Sequence, residues 1–415
     1  MATANDVRAL VDHLFRHRAG QMLASLTRIL GARHLDLAEE VVQDALVQAL
    51  RQWPFRGIPD NPTAWLIQAA KNRALDRLRR DARLRAKEPE LQRWHVQPTC
   101  NAEDGLPDDE LRLMFMCCHD ALPREMRVAL TLKTLGGFGV AEIARAFLAN
   151  EATIAQRLVR ARRKIQDDNI PFDVPGPADL PNRVDAVLEV LYLMFNEGYS
   201  AHQGENLVRE DLVYEAIRLT DLLLHLPMAG SPKVHALMAL MLFQGARLAT
   251  RVDAGGDLLL LADQDRRQWD QGMIQRGFAH LKEAGRGDVL TLYHLEAGIA
   301  SCHAMAPSWD ATNWQAIVAY YDLLLALNPS PVAALNRSVA LAQLHGADAG
   351  LRALDALHEH PQLRAYYLLP ATRGELLRQR GDHAAAAHAL HEALGLASSE
   401  PVRRFLRQKL SLLPA

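Results

Sequence analysis

Apolar residues recur every three or four positions along most of this chain. Leu23, Leu26, Ile29 and Leu30 share one face, Val41, Val42, Ala45, Leu46 and Leu50 the next, and Leu66, Ala70, Ala74 and Leu78 a third. That spacing is the period of an amphipathic helix with one stripe turned to a core. It predicts helices ending near Leu30, over Leu37 to Trp53 and over Pro62 to Lys87. The periodicity lapses twice, at Lys87 to Pro107 and at Asp167 to Asn182, where KEPELQ, PTCNAEDGLP and DDNIPFDVPGPADLPN gather turn-formers and charge. The expected architecture is all-α: a front module over 1–90, a linker over 91–108, a short middle module over 109–168, a linker over 169–182 and a helical rear over 183–415.

In the middle module the pattern VAEIARAFLANEATIAQRLVRARRKI, Val140 to Ile165, sets Ile143 and small Ala144 on one helix. Phe147 to Asn150 then make a turn with Asn150 as N-cap, and Ile154, Leu158 and Ile165 form the buried stripe of the next helix. Two helices crossing steeply at a small residue make a helix-turn-helix. With that stripe inward, Thr153, Gln156, Arg157 and Arg160 face outward, where they can reach base edges in a major groove. Arg162, Arg163 and Lys164 follow where phosphates would pass.

The rear carries self-similarity. GADAGLRALDAL from Gly346 and GDHAAAAHALHEAL from Gly381 start 35 residues apart. Each follows an apolar helix, Val332 to Leu344 and Leu363 to Leu377, and Asn313 to Leu327 would be the second helix of an earlier pair. This period fits tetratricopeptide-like helix pairs from about residue 288, although an ordinary helical bundle gives a similar Ala/Leu pattern.

Composition adds size and charge. The 415 residues are 49% hydrophobic and 23% charged, enough for two or three cores, and the net charge is only −2. That average hides a split: residues 1–166 hold 26 Lys/Arg against 20 Asp/Glu, and residues 167–415 hold 21 against 29. A basic front suits nucleic acid; an acidic rear suits protein or solvent. Within the front, Asn61 to Lys87 carries Lys71, Arg73, Arg77, Arg79, Arg80, Arg83, Arg85 and Lys87 against Asp76 and Asp81. Arg73, Arg77 and Arg80 lie opposite the apolar face, beside Trp65 and the Pro/Gly loop Phe55 to Pro62. A cationic helix with an aromatic neighbour suits backbone contact and capture of an unstacked base. The preceding helix instead turns Glu39, Glu40, Gln43 and Asp44 outward. An acidic face cannot meet DNA, so it is either a solvated face or a docking surface for a basic protein.

Other chemistry is sparse. Cys100, Cys117, Cys118 and Cys302 make no disulfide framework, and Cys117-Cys118-His119 lacks the paired spacing of a zinc site, so packing is the better reading and no metal is expected. Gly136, Gly137 and Gly139 follow no strand, which favours a helix-to-helix turn over a phosphate loop. No cofactor and no catalytic residues are expected. The first 30 residues show no apolar signal core and no run reaches 18 uninterrupted apolar residues, so a cytoplasmic protein without membrane association is expected.

Taken in order, these pieces resemble the extracytoplasmic-function (ECF) group of sigma factors of bacterial RNA polymerase. EEVVQDALVQAL with AWLIQAAKNRALDRLRR is similar to the group's region 2, and LPREMRVALTLKTLGGFGVAEIARAFLANEATIAQRLVRARRKI to its region 4, over about residues 7–166. LRLMFMCCHDALP, YLMFNEGYSA, DQDRRQWD and SPVAALNRSVALA resemble the subgroup with a C-terminal tetratricopeptide-like (TPR) extension. The resemblance implies a promoter-specificity subunit whose partners are RNA polymerase core, through the β′ clamp helices and β flap, and promoter DNA. It places Glu39, Glu40, Gln43 and Asp44 on the clamp-facing surface. It sets Arg56, Asn61, Trp65, Asn72, Arg73, Asp76, Arg77, Arg79 and Arg80 at the −10 element, with Arg56 to Ala64 capturing a flipped base. Thr153, Gln156, Arg157, Arg160, Arg162, Arg163 and Lys164 fall at the −35 element. The extension would regulate, with intramolecular contact to the sigma domains as one route. Two other readings stay open. One is a helix-turn-helix regulator with a helical ligand- or protein-binding rear, which leaves Asn61 to Lys87 unexplained. The other is an enzymatic rear using Asn196, Glu197, Tyr199 and Ser200, which lack a general-base partner.

Overall fold

The computed structural model describes residues 4–85, 106–146, 149–199, 209–226, 231–253, 257 and 259–414. Every named element among them is a helix, as the apolar periodicity predicts. None is long and apolar enough to cross a membrane. The chain divides into two compact units, Met1–Met194 and Phe195–Ala415.

The first unit begins with α1 (Ala4–Leu30), α2 (Leu35–Arg56) and α3 (Pro62–Arg85), which pack on one another. Val41, Val42, Ala45 and Leu46 of α2 are buried with Ala49 and Trp53. Leu50, expected inward, is 39% exposed. The buried stripe drifts at this end of α2 along Ala45, Ala49 and Trp53, and Leu50 lies about 100° off that line. Side chains beyond Arg80 of α3 and the segment holding Lys87 and Cys100 lie outside the described residues.

α4 (Leu106–Cys117), α5 (Arg124–Thr134), α6 (Val140–Ala146) and α7 (Glu151–Asp167) follow in the same unit, then α8 (Leu180–Tyr199), within which the unit boundary falls. Asn150 caps α7 as predicted: its Oδ1 accepts from the Thr153 backbone N at 2.7 Å and from Thr153 Oγ1 at 2.8 Å. Ile154, Leu158 and Ile165 are buried, as are Ile143 and Ala144 of α6. Phe147 and Leu148 of the turn lie outside the described residues. The Gly136–Gly139 segment joins α5 to α6, with Gly137 at φ +67. Cys117 and Cys118 are buried against Thr134 and Thr131, at 3.2 and 3.5 Å, which is the packing role expected. Burial pushes both thiols up, Cys118 to about 11, so neither is a thiolate at neutral pH. One close approach fixes α1 against the end of α5: a Cβ on Gly20 would stand 2.6 Å from the Leu135 carbonyl oxygen.

The second unit comprises α9 (Glu210–Leu224), α10 (Pro232–Gly245), α11 (Gln271–Ala284) and α12 (Leu292–Met305). A chain of sequentially packed helices completes it: α13 (Trp314–Leu327), α14 (Pro331–His345), α15 (Ala347–Asp355), α16 (Leu368–Arg380), α17 (His383–Leu396) and α18 (Glu400–Ser411). The 35-residue echo marks the joints α14–α15 and α16–α17. Gly346 and Gly381 end the first helix of each pair at φ +89 and +90, a left-handed backbone that glycine adopts without cost. The expected helix from Leu363 starts only at Leu368. Residues 363–367 form successive turns, with Tyr366 N donating to the Leu363 carbonyl at 3.0 Å, and buried Leu363 anchors the turn. In YLMFNEGYSA, Phe195 is buried and stacks on Tyr199 at 5.8 Å, while Gly198 leaves no room for a Cβ beside Leu212. These are packing roles; Ser200 and Ala201 lie outside the described residues.

Candidate nucleic-acid interface

α2 and α3 lie side by side with opposite charge on their open faces. Arg73 meets Asp44 at 2.9 Å, and Arg77 spans Asp44 at 3.2 Å and Glu40. The hydrogen bond from Arg77 holds the Glu40 carboxyl below the usual carboxylate range. Gln43 is exposed beside them. Further along α3, Arg79 faces Asp76 at 4.0 Å and Arg80 is exposed. Asn72 accepts a hydrogen bond from Gln68 at 2.9 Å.

At the start of α3, Asn61 Oδ1 accepts from the Ala64 backbone N at 2.9 Å, so its side chain serves as a helix cap. Trp65 packs edge-on against buried Trp53, with ring centroids 5.4 Å apart. Arg56 is exposed. Next to it, Phe55 is 82% exposed, a large ring left in solvent at the mouth of the loop. Sequence alone marks Phe55 only as the start of that loop; its position just after Pro54, at the end of the apolar stripe, is the one signal for it.

α7 divides into two sets of side chains. Gln156, Arg160 and Arg163 are exposed, and Arg157 is paired with Glu125 at 2.6 Å. Thr153 is committed to the Asn150 cap. Lys164 reaches Asp168 at 2.7 Å. Arg162, expected along the phosphate path, instead turns toward α2, where it meets Asp36 at 2.9 Å and Glu39. Lys133 of α5 joins at 3.1 Å from Glu39. Glu39, expected outward, is therefore only 17% exposed on its side chain, and Arg162 only 16%. The two lie 123 residues apart in sequence, so local periodicity could not pair them. All the expected −10 and clamp-facing residues are gathered on α2, α3 and their joining loop, and all the expected −35 residues on α7.

The chain matches two known families in this unit: sigma-70 region 2 over residues 14–84 and sigma-70 region 4 over residues 112–165. It is 32% identical to the ECF RNA polymerase sigma factor SigK of Mycolicibacterium vanbaalenii over 34% of this chain and 72% of that relative. It is also 30% identical to the ECF RNA polymerase sigma factor SigM of Mycobacterium tuberculosis over 38% of this chain and 76% of the relative. The chain belongs to the ECF RNA polymerase sigma factors.

As a sigma factor it is a non-enzymatic initiation factor that directs transcription, and its partners are RNA polymerase core and promoter DNA. Its rear matches a family of unknown function (DUF6596) over residues 183–285. An uncharacterized protein of Rhizobium meliloti is 40% identical over 92% of this sigma factor and 91% of its own length, so the similarity runs through both units.

Proposed function

We propose that α2 presents Glu39, Glu40, Gln43 and Asp44 to the β′ clamp helices of core polymerase in the cytoplasm. On this reading α3 and the Arg56 to Ala64 loop bind the melted −10 strand, while α7 reads the −35 element near the β flap. The second unit acts as a regulator, a TPR-like stack from about residue 288, with contact to the sigma domains or the polymerase as its route. The charge arrangement on α2 supports this most directly. Its acids already hold guanidinium groups of α3 and α7, so the same carboxylates can take cations from a basic partner while the released arginines take phosphates.

We infer further that the described arrangement is an idle one. Elements centred near −35 and −10 lie roughly 25 base pairs apart, about 85 Å of duplex at ~3.4 Å per pair. Arg162 at hydrogen-bond distance from Asp36 ties α7 to α2 far more closely than that. Promoter engagement therefore requires the Arg162, Lys133, Asp36 and Glu39 cluster to open.

Gln43→Ala with Asp44→Lys tests the docking face. Core association is expected to weaken by roughly 2–5 kcal/mol, and undiminished co-purification with core would refute the assignment. On α7, Arg157→Ala should alter preference at one or two −35 positions by roughly 1–3 kcal/mol, whereas Lys164→Ala should weaken all promoters alike and flatten the salt dependence. A promoter library transcribed with both variants distinguishes these outcomes.

A further inference from the structure

The second unit holds a cavity of about 620 Å³, partly open to solvent, whose lining includes none of the residues proposed above to meet polymerase or promoter. Most of its wall comes from α13, α14, α16 and α18, with His303 of α12, Ala347 of α15 and Leu390 of α17 added, and the segment Leu260 to Ala262 runs along one side. That segment is tethered: Asp257 meets Arg404 of α18 at 2.6 Å, and Leu259 N donates to the Arg251 carbonyl at 2.9 Å. A trough between helices is thus bounded into a pocket, within the 300–1,000 Å³ range of small-molecule sites.

The lining favours a flat, uncharged guest. Trp309 and Trp314 meet edge to face at 4.5 Å. The Trp309 indole N–H donates to Gln343 Oε1 at 3.1 Å, so its polar edge is satisfied. His303 stacks on Trp309 and is buried near Arg247 and Arg266, which pushes its pKa down to about 3 and keeps the ring neutral at physiological pH. Burial likewise raises the Tyr321 hydroxyl and keeps it un-ionised. The charged groups of the wall, Glu375 and Lys409, face each other at 3.8 Å and offset one another. Aromatic rings supply stacking area without net charge, and the Gln343 and Asn336 amides stand among them to orient polar edges.

We propose that this cavity is the receptor site for a small, neutral, largely aromatic molecule carrying few hydrogen-bonding groups, making the rear of the chain a ligand-binding unit. The aromatic lining, with its two charged groups paired to each other, favours such a compact neutral guest over a charged peptide.

The test uses the full-length protein and the neutral fluorophore N-phenyl-1-naphthylamine. Its emission should rise saturably at one equivalent per chain, with energy transfer from the indoles. Val339→Trp and, separately, Thr372→Phe place bulk in the empty space, and each should weaken binding at least tenfold with helix content and unfolding midpoint retained. The sulfonated analogue 8-anilinonaphthalene-1-sulfonate should bind at least tenfold more weakly. Absence of saturable binding, equal affinity in both filled variants that keep their fold, or equal binding of the sulfonate would overturn the proposal. So would displacement of the fluorophore by the peptide GDLLLLAD, the chain's own residues 256–263, because that marks the groove as a peptide seat.

Discussion

Two sets of arginines, one in each unit, are used in opposite ways. On the front unit, Arg73, Arg77 and Arg162 pair with carboxylates at helix surfaces. In the rear unit, Arg266 donates to the carbonyls of His303 and Ala306 at 2.6 and 2.8 Å and lies over the Trp269 ring at 5.0 Å. Arg247 binds the side-chain oxygens of Gln264 and Gln244 and lies over the same ring at 5.5 Å. Carboxylate partners can be exchanged for phosphates or another protein's cations, since both sides stay charged and, for Arg73 and Arg77, near water. Main-chain carbonyls and an indole face cannot be exchanged without unfolding what they cap. A count of Lys and Arg along the chain weighs both sets equally; only the partner atoms separate an interface from a scaffold.

The sharpest way to break this contrast is Arg266→Ala. It strips the carbonyl oxygens at the end of α12 of a charged donor, and the rear unit should lose about 3 kcal/mol, read by urea unfolding. A loss below about 1 kcal/mol would move Arg266 into the exchangeable set. Next in size is a pH effect from the same neighbourhood. His303 in the fold titrates near 3 against about 6.5 when unfolded, so the unfolded chain binds the extra proton between those values. Stability is then fully present above about pH 6.5 and falls on acidification, by roughly 2 kcal/mol at pH 5. His303→Leu should flatten that slope in unfolding midpoints measured from pH 7.5 to 5.

The front should respond less in stability and more in function. Arg162→Ala should loosen the α7–α2 contact by about 1–2 kcal/mol, visible as faster amide exchange in α7, and raised salt should mimic it in the wild type. Arg163→Ala, exposed on the other face, should leave that exchange unchanged. Smallest of all, Arg73→Ala removes an exposed pair and should shift the unfolding midpoint by less than about 0.5 kcal/mol. It should nevertheless reduce transcription from promoters that depend on the −10 element.

Much of this was legible from the chain. The Asn150 cap, the Ile154–Leu158–Ile165 stripe and the glycine joints at 346 and 381 follow from local rules, because caps, periodicity and left-handed turns are set within a few residues. The gathering of the candidate clamp and −10 side chains on adjacent helices followed as well. Arg162 did not: its neighbours Arg163 and Lys164 have the same composition, and only the tertiary approach of α7 to α2 decides that Arg162 meets Glu39. Leu363 shows the same limit, since apolar spacing serves a string of buried turns as well as a helix. The cavity beside Trp309 was invisible for a related reason, as its lining comes from seven helices and a loop spread over about a third of the chain.

Gly20 makes the packing of the front unit something a geneticist could wedge. It sits on α1 and is not itself one of the expected clamp, −10 or −35 residues, yet a single methyl there would strike the Leu135 carbonyl. Backbone cannot swing aside as a side chain can, so Gly20→Ala works as a wedge, levering the end of α5 away without altering any charge. If promoter engagement needs α7 to part from α2, selection for constitutive promoter firing should find lesions of this kind outside the residues proposed to touch nucleic acid, and a map of such suppressors would trace the α1–α5 seam.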